Sequence, residues 1–399
     1  MSAASSALDA FIMRCDPSSV PPVGTFVERT RPLAPRLLSA VEPSSTCRVL
    51  VVGQTGVGKS AELARFAEIA KAKFTVVTPP VDSTLLMHDD WHEIFVFSAA
   101  WAAENLFQSP PVSARTLASA LEPPREEKVS LLEPTVKRGG PPEPTTTQRF
   151  RNDYLGVRRV IATGRAQYWD LAKAVIRDVE QRTGKEVILV LDGLEKLADD
   201  VARRLFYEKG RLLHDFPMRL VVTAPISLSF TEVFGDIEER FLVVERQRAL
   251  SCQPGEPGFE FFSRIAAHRG ANAVFASDML KDTVSWGGGL PRQFLQLLAA
   301  AATQARADGL SSVSQECLVR GRRKVTEKWH YQLKDTDYPE LIREQEAAAA
   351  GQVQPTNEAR SRLLRIGALI EYEKEDGSLK WGINPLVGVL LSRFKRESA

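Results

Sequence analysis

The 399-residue chain holds only four cysteines, Cys15, Cys47, Cys252 and Cys317, and they are widely scattered. Without a Cys-x-x-Cys pair, a zinc ribbon or a redox motif is excluded, and bland or buried thiols in a reducing cytoplasm are expected. Histidine is equally scarce, at five residues, and no Ser-His-Asp or Cys-His constellation stands out. No apolar run approaches the length of a membrane span. An excess of charge of either sign is also missing. The net charge is +2, so global charge argues for neither a nucleic-acid nor a membrane partner, although a local basic face stays open. The N-terminal MSAASSALDAFIMRCDP carries Asp9 inside its apolar stretch and is not expected to act as a signal peptide. No internal repeat is found. What remains is the composition of an ordinary globular protein, 44% hydrophobic and 26% charged, long enough for two or three domains.

Against this background, GQTGVGKS from Gly53 to Ser60 stands out. Gly53, four residues, then Gly58, Lys59 and Ser60 complete the phosphate-loop pattern. Glycine lets the backbone wrap closely around a phosphate chain, because a Cβ would collide or forbid the required φ. The amides from Thr55 to Lys59 then form a nest for phosphate oxygens, and the helix beginning near Lys59 adds its positive end. Lys59 suits the β- and γ-phosphates, and the Ser60 hydroxyl suits Mg²⁺. The context fits: Arg48–Val52 reads as a buried strand, and SAELARFAEIAKA reads as an amphipathic helix. Nucleotide contacts are therefore expected from Gly53, Thr55, Gly56, Val57, Gly58, Lys59, Ser60 and Ala61.

The rest of the chain alternates strand and helix as far as about residue 250. KFTVVTP, EVILVL, RLVVTAP and FLVVER read as strands, with helical patterns between them. Such alternation implies a parallel sheet with helices on both faces. Between Ser109 and Gln148, eight prolines interrupt the pattern, and a flexible insertion over 109–150 is expected. From Gly258 the pattern is helical only. The tail then reads as helix NEARSRLLRIGAL, hairpin IEYEKEDGSLKWGI and helix PLVGVLLSRF. The expected division is an N-terminal extension over 1–44, a nucleotide-binding core over 45–250, a helical lid over 251–334 and a small C-terminal domain over 335–399.

Four further positions extend the phosphate loop into a constellation. The apolar run Val187–Leu191 ends in Asp192, where a carboxylate holds Mg²⁺ together with Ser60. Glu195, three residues on, suits the group that orients or deprotonates an attacking water, or else a helix-start acid. Thr223 at the tip of RLVVTAP suits a contact to the γ-phosphate or the water, or an ordinary strand end. After GGGL, Pro291 opens a helix and Arg292 projects from its first turn, either onto phosphates or into solvent.

In this order, GQTGVGKS, VLDGLEK, VVTAP and GLPR resemble the AAA+ and STAND-type P-loop ATPases, particularly bacterial proteins related to replication initiators and NLR-like switches. The resemblance covers roughly residues 45–324. It implies an α/β fold with a five-stranded parallel sheet flanked by helices, the Asp192 strand near its centre, then an all-α lid. The tail resembles a winged-helix domain. Lys59 and Ser60 match the family's nucleotide and Mg²⁺ ligands, and Asp192 matches the metal-side acid. Thr223 and Arg292 fall at the two sensor positions. The family often uses an arginine from a neighbouring subunit, and Arg240 is the positional match. Asp192 is followed by Gly193 where many members have a second acid, which favours a slow switch over a fast motor.

The resemblance thus implies a cytoplasmic ATP- and Mg²⁺-dependent ATPase that switches conformation or assembly. A homo-oligomer is implied, as is a protein partner engaged through the lid, the tail or the Pro-rich segment. A DNA-loading ATPase and a nucleotide-binding scaffold with negligible turnover are the alternatives. Arg360, Arg362, Arg365 and Lys380 suit DNA phosphates, whereas Glu371, Glu373, Glu375 and Asp376 in the same wing oppose them. His88, Asp89, Asp90 and His92 lack a third clear metal ligand and are read as a helix start.

Overall fold

The computed structural model describes residues 3–17, 25–81, 90–121, 147, 154–252, 254–352, 357–373 and 378–397. The strands are β1 (Arg48–Gly53), β2 (Thr75–Val77), β3 (Val187–Leu191), β4 (Arg219–Ala224) and β5 (Val243–Gln247). They form one sheet in the order β2-β3-β4-β1-β5, and every pairing is parallel. The expected five-stranded sheet is therefore present, with the Asp192 strand one place from the centre.

The inner strands β1, β3 and β4 are largely apolar on both sides because both faces are covered, as parallel sheets require. Leu50, Val52, Leu189, Leu191, Leu220 and Val222 point into one core. Its helices are α4 (Trp91–Leu106), α5 (Val112–Ala120), α6 (Tyr154–Thr163) and α7 (Arg165–Thr183). The alternate residues Val49, Val51, Ile188, Val190 and Val221 face the other core, under α2 (Leu33–Val41) and α3 (Lys59–Ala70). Parallel pairing places every strand's C-terminal tip on one edge, where Gly53, Asp192 and Thr223 meet.

One sequence expectation needs correction. The Pro-rich segment does not run open from Ser109, because α5 forms within it. Pro110 and Pro111 precede the helix, with Pro111 as its N-cap, so neither removes a helical hydrogen bond. Ala114 and Leu117 are buried, and the Ser113 hydroxyl donates to Asp178 on α7 at 2.6 Å. Residues 122–146 and 148–153 lie outside the described residues.

The short helices α8 (Asp199–Arg203) and α9 (Phe234–Glu238) complete the sheet domain, and the lid comprises α10 (Pro257–His268), α11 (Ser277–Trp286), α12 (Pro291–Ala307) and α13 (Gln315–Gln332). Its core takes in Leu8, Phe11 and Cys15 around α1 (Ala3–Arg14), so the N-terminal helix packs with the lid. The tail holds α14 (Asp337–Ala349), α15 (Glu358–Ile366), β7 (Leu369–Glu373), β8 (Leu379–Ile383) and α16 (Pro385–Glu397). The β7–β8 hairpin is antiparallel, and β6 (Ala249–Leu250), from the sheet-to-lid connection, adds to it in parallel. That third strand had no sequence signal. Among the described residues, no helix is long and apolar enough to cross a membrane.

Candidate nucleotide site

The phosphate loop joins β1 to α3 with Gly56 at φ +85° and Gly58 at φ +102°, a region L-side chains disfavour. Gly53 is compelled by space: a Cβ there would stand 2.4 Å from the Gln247 carbonyl oxygen. Lys59, the first residue of α3, is 4% exposed. Its Nζ donates to the carbonyls of Gly53 at 2.7 Å and Gln54 at 3.1 Å. Burial lowers its pKa, which the nearby Glu195 and Asp192 carboxylates oppose.

Asp192 and Glu195 share this environment, yet their pKa values are shifted in opposite directions. Burial, reinforced by the charge of Glu195, pushes Asp192 up, although the Ser60 hydroxyl bonds it. Burial would push Glu195 up as well, but the Lys59 ammonium and the Thr223 hydroxyl outweigh it and hold the carboxyl below its usual range. Thr223, fully buried at the tip of β4, donates to Glu195 Oε2 at 2.8 Å and accepts from the Gly193 amide at 3.0 Å. Asp192 Oδ1 is buried without a hydrogen-bond partner. An orphaned carboxylate oxygen beside a serine hydroxyl fits a hard, oxygen-seeking cation such as Mg²⁺. Among the described residues, no group of three or more His, Cys, Asp or Glu could hold a metal unaided. Asp90 instead caps α4 by accepting from the His92 amide at 2.9 Å, and His88 and Asp89 lie outside the described residues.

Arg292 stands in the first turn of α12, and its backbone amide donates to the Gly56 carbonyl at 3.2 Å. Lid and phosphate loop thus touch directly, and a Cβ on Gly56 would meet the Arg292 Cβ at 2.9 Å. Gly56, Gly58, Lys59, Ser60, Ala61, Asp192, Glu195 and Arg292 line one cavity of about 300 Å³. Thr55 and Arg292 also line a cleft of about 1150 Å³ on the lid side, while Val57 is buried beneath the loop. Arg240 is not brought to the cavity of its own chain. Its guanidinium donates to the Phe206 and Tyr207 carbonyls, at 2.7 and 2.5 Å. Its own carbonyl accepts from Arg48, at the opposite end of β1 from the loop.

The other end of the cavity carries residues of which only Pro291 belongs to a motif. Phe26, Val27, Phe261, Ile265, Pro291 and Leu295 give it an apolar wall. Arg29, 7% exposed, stands behind them, bonded to the Val57 and Arg248 carbonyls and 5.4 Å from the Phe261 ring centre. Phe261 and Ile265 lie four residues apart on α10, a spacing readable in FEFFSRIAAHRG, yet it looks identical to ordinary core.

The tail's basic residues are largely paired. Arg360 is 1% exposed, paired with Glu344 at 3.1 Å and 4.4 Å from the Trp381 ring centre. Arg362 pairs with Asp337 and Arg365 with Asp199. Glu371 and Glu373 pair with Arg248 and Arg31. Lys380 is exposed on β8, and Glu375 and Asp376 lie outside the described residues. All four cysteines are buried and free.

Comparison with solved structures finds chains of similar path. The ORC2 protein of Aeropyrum pernix, solved as ADPNP–ADP complexes, matches with a TM-score of 0.48 and 14% identity, over 96% of this chain and 98% of its own. Cdc6p of Pyrobaculum aerophilum matches with a TM-score of 0.44 and 13% identity, over 96% and 98%. RuvB of Thermotoga maritima, a Holliday junction branch migration motor, matches with a TM-score of 0.37 and 14% identity, over 90% and 93%. No protein-family model and no curated protein matches the chain. Ligand and reaction are therefore read from the geometry of this chain.

Proposed function

We propose that the chain binds and hydrolyses ATP and uses the nucleotide cycle to switch conformation or assembly. The observation that carries this reading is the divergent pair at the strand tips. Asp192 has an orphaned buried oxygen beside Ser60, and Glu195 is kept charged by Lys59 and Thr223 in the same cavity. One carboxylate suits a metal and the other suits a water.

In this reading the amides of residues 55–59 cradle the phosphate chain and the α3 N-terminus adds its dipole. Lys59 turns from the Gly53 and Gln54 carbonyls to the terminal phosphates. Ser60 and Asp192 would hold Mg²⁺, which would supply charge neutralisation at the phosphates. Glu195, oriented by the Thr223 hydroxyl, accepts the proton of the attacking water. Arg292 carries the lid onto the γ-phosphate, and the apolar wall from Val27 to Leu295 receives the base. Arg240 is assigned to the neighbouring site of a homo-oligomer, since it does not reach its own. The lid and tail are proposed as separate domains from about residues 251 and 335, and as the surfaces that engage a protein partner. A cytoplasmic location accompanies this assignment. The paired state of Arg360, Arg362 and Arg365 disfavours DNA contacts through α15.

The test is a thermal melt with Mg-ATP, Mg-ADP or neither, on wild type and Lys59→Ala. Nucleotide at a hundredfold excess over its Kd should add about 2.7 kcal/mol of stability to the wild type and far less to the variant. Equal melts under all conditions would sink the proposal.

A further inference from the structure

The second residue of the phosphate loop is held by the tail. Gln54 is 2% exposed, and its side-chain amide turns away from the cavity. Nε2 donates to the carbonyls of Leu364 at 3.0 Å and Leu369 at 2.6 Å, and Oε1 accepts from the Glu371 amide at 3.1 Å. Two carbonyls on one side and an N–H on the other fix the amide orientation. All three partners are backbone groups at the end of α15 and in β7. Val57 of the same loop packs with Ala249 of β6, Leu290 of the lid turn and Ile370 of β7. The lid is held by separate contacts. Gln293, next to Arg292, exchanges amide bonds with Asn384 at 3.1 and 2.8 Å, and Tyr372 donates to the Gly288 carbonyl at 3.2 Å.

Gln54 is also one of the two residues whose carbonyls hold the Lys59 ammonium. When Lys59 turns to a phosphate, these two carbonyls lose a charged donor in a buried setting. The Gln54 carbonyl then keeps only the Val57 amide, at 3.2 Å, and the loss of a charged hydrogen bond in a buried setting pulls on the backbone there. Its side chain is not free to follow, being bonded three times to the tail. The tail hairpin and the bound nucleotide therefore compete for the shape of one loop.

We propose that Gln54 is a positioning residue through which the docked tail holds the phosphate loop in its folded-back form. Nucleotide binding then loosens β7, and release of β7 strengthens nucleotide binding by the same factor, as linkage requires. This rests on the nucleotide reading above and adds the regulation of that site.

Amide hydrogen exchange across residues 369–373 of the full chain, with and without Mg-ATP, tests it, alongside the affinity for a fluorescent ATP analogue. In wild type, Mg-ATP should speed exchange of this segment about tenfold, within the usual range of coupling between sites. Gln54→Met, which keeps the length but makes no hydrogen bonds, should exchange fast without nucleotide, stop responding to it, and bind the analogue about tenfold tighter. Gln293→Met, which cuts only the lid contact, should keep the wild-type response. If Gln54→Met does not fold, Gln54→Glu, which keeps the acceptor and loses both donors, takes its place. Exchange that is unchanged or slowed in a wild type that binds Mg-ATP overturns this proposal alone. If wild type binds no more analogue than Lys59→Ala, the nucleotide reading falls and takes this inference with it.

Discussion

The loop end and the apolar end of the cavity are built in opposite ways. At the loop end every residue belongs to a short contiguous motif, and in the proposed reading polar chemistry fixes its type: glycine for φ, lysine for charge, acids for metal and water. At the apolar end the wall comes from three separated segments, at Val27, at Phe261 and Ile265 on α10, and at Leu295, and asks only for apolar bulk. The first end should respond steeply to single substitutions that change charge or proton transfer. The second should respond shallowly, since neighbouring apolar side chains share the contact.

The largest effect is expected at Glu195. Glu195→Gln keeps the shape and the Thr223 contact but removes the proton acceptor, so ATP turnover should fall by about 10²–10⁴, the usual contribution of a general base. ATP affinity should change little, and equilibrium binding beside steady-state turnover checks both. Next is Lys59→Ala, which removes a charged hydrogen bond worth about 1.5–3 kcal/mol and should weaken nucleotide binding about 10–100-fold. Tripolyphosphate used as a competitor sharpens the contrast between the two ends. Lys59→Ala should weaken it as much as ATP. Leu295→Ala should weaken ATP by roughly 1–2 kcal/mol and leave tripolyphosphate unchanged. Equal losses on both ligands for both variants would erase the distinction.

The smallest effect concerns stability. Because folding raises the Asp192 pKa, the folded chain holds that proton more tightly than the unfolded one. This contribution therefore favours the metal-free fold below the raised value and turns against it as pH rises through that range. Asp192→Asn should remove the penalty at neutral pH and raise the metal-free melting temperature by about 1 °C for each kcal/mol regained. It should also abolish the effect of Mg²⁺ on ATP binding. Calorimetric melts at neutral pH with and without Mg²⁺ check both points.

What the sequence showed divides along the same line. The loop, Asp192, Glu195, Thr223 and Arg292 were legible because each is tied to a strand tip or helix start, and parallel strands bring those tips to one edge. The sheet followed from apolar strands alternating with helices. The apolar wall was not legible, because Phe261 and Leu295 look the same in a core as in a pocket. Gln54 was missed for a different reason: it fills an unspecified place in the loop pattern, and its partners are backbone groups more than 300 residues away. In the Pro-rich stretch, density alone suggested an open segment. Position decided otherwise, since Pro111 caps a helix whose Leu117 is fully buried. The arginines of α15 looked solvent-facing by type, yet Arg360 is enclosed by Trp381 and Glu344.

The central claim is that the two carboxylates of this cavity serve hydrolysis. Steady-state phosphate release from Mg-ATP across a range of wild-type protein concentrations, beside Glu195→Gln, tests it most directly. Mg²⁺-dependent release that is abolished in the variant, with specific activity rising as copies assemble, is the expected result. A wild type that ATP stabilises but that releases no phosphate at any concentration would contradict it, leaving the loop a latch and Glu195 and Arg240 without their roles.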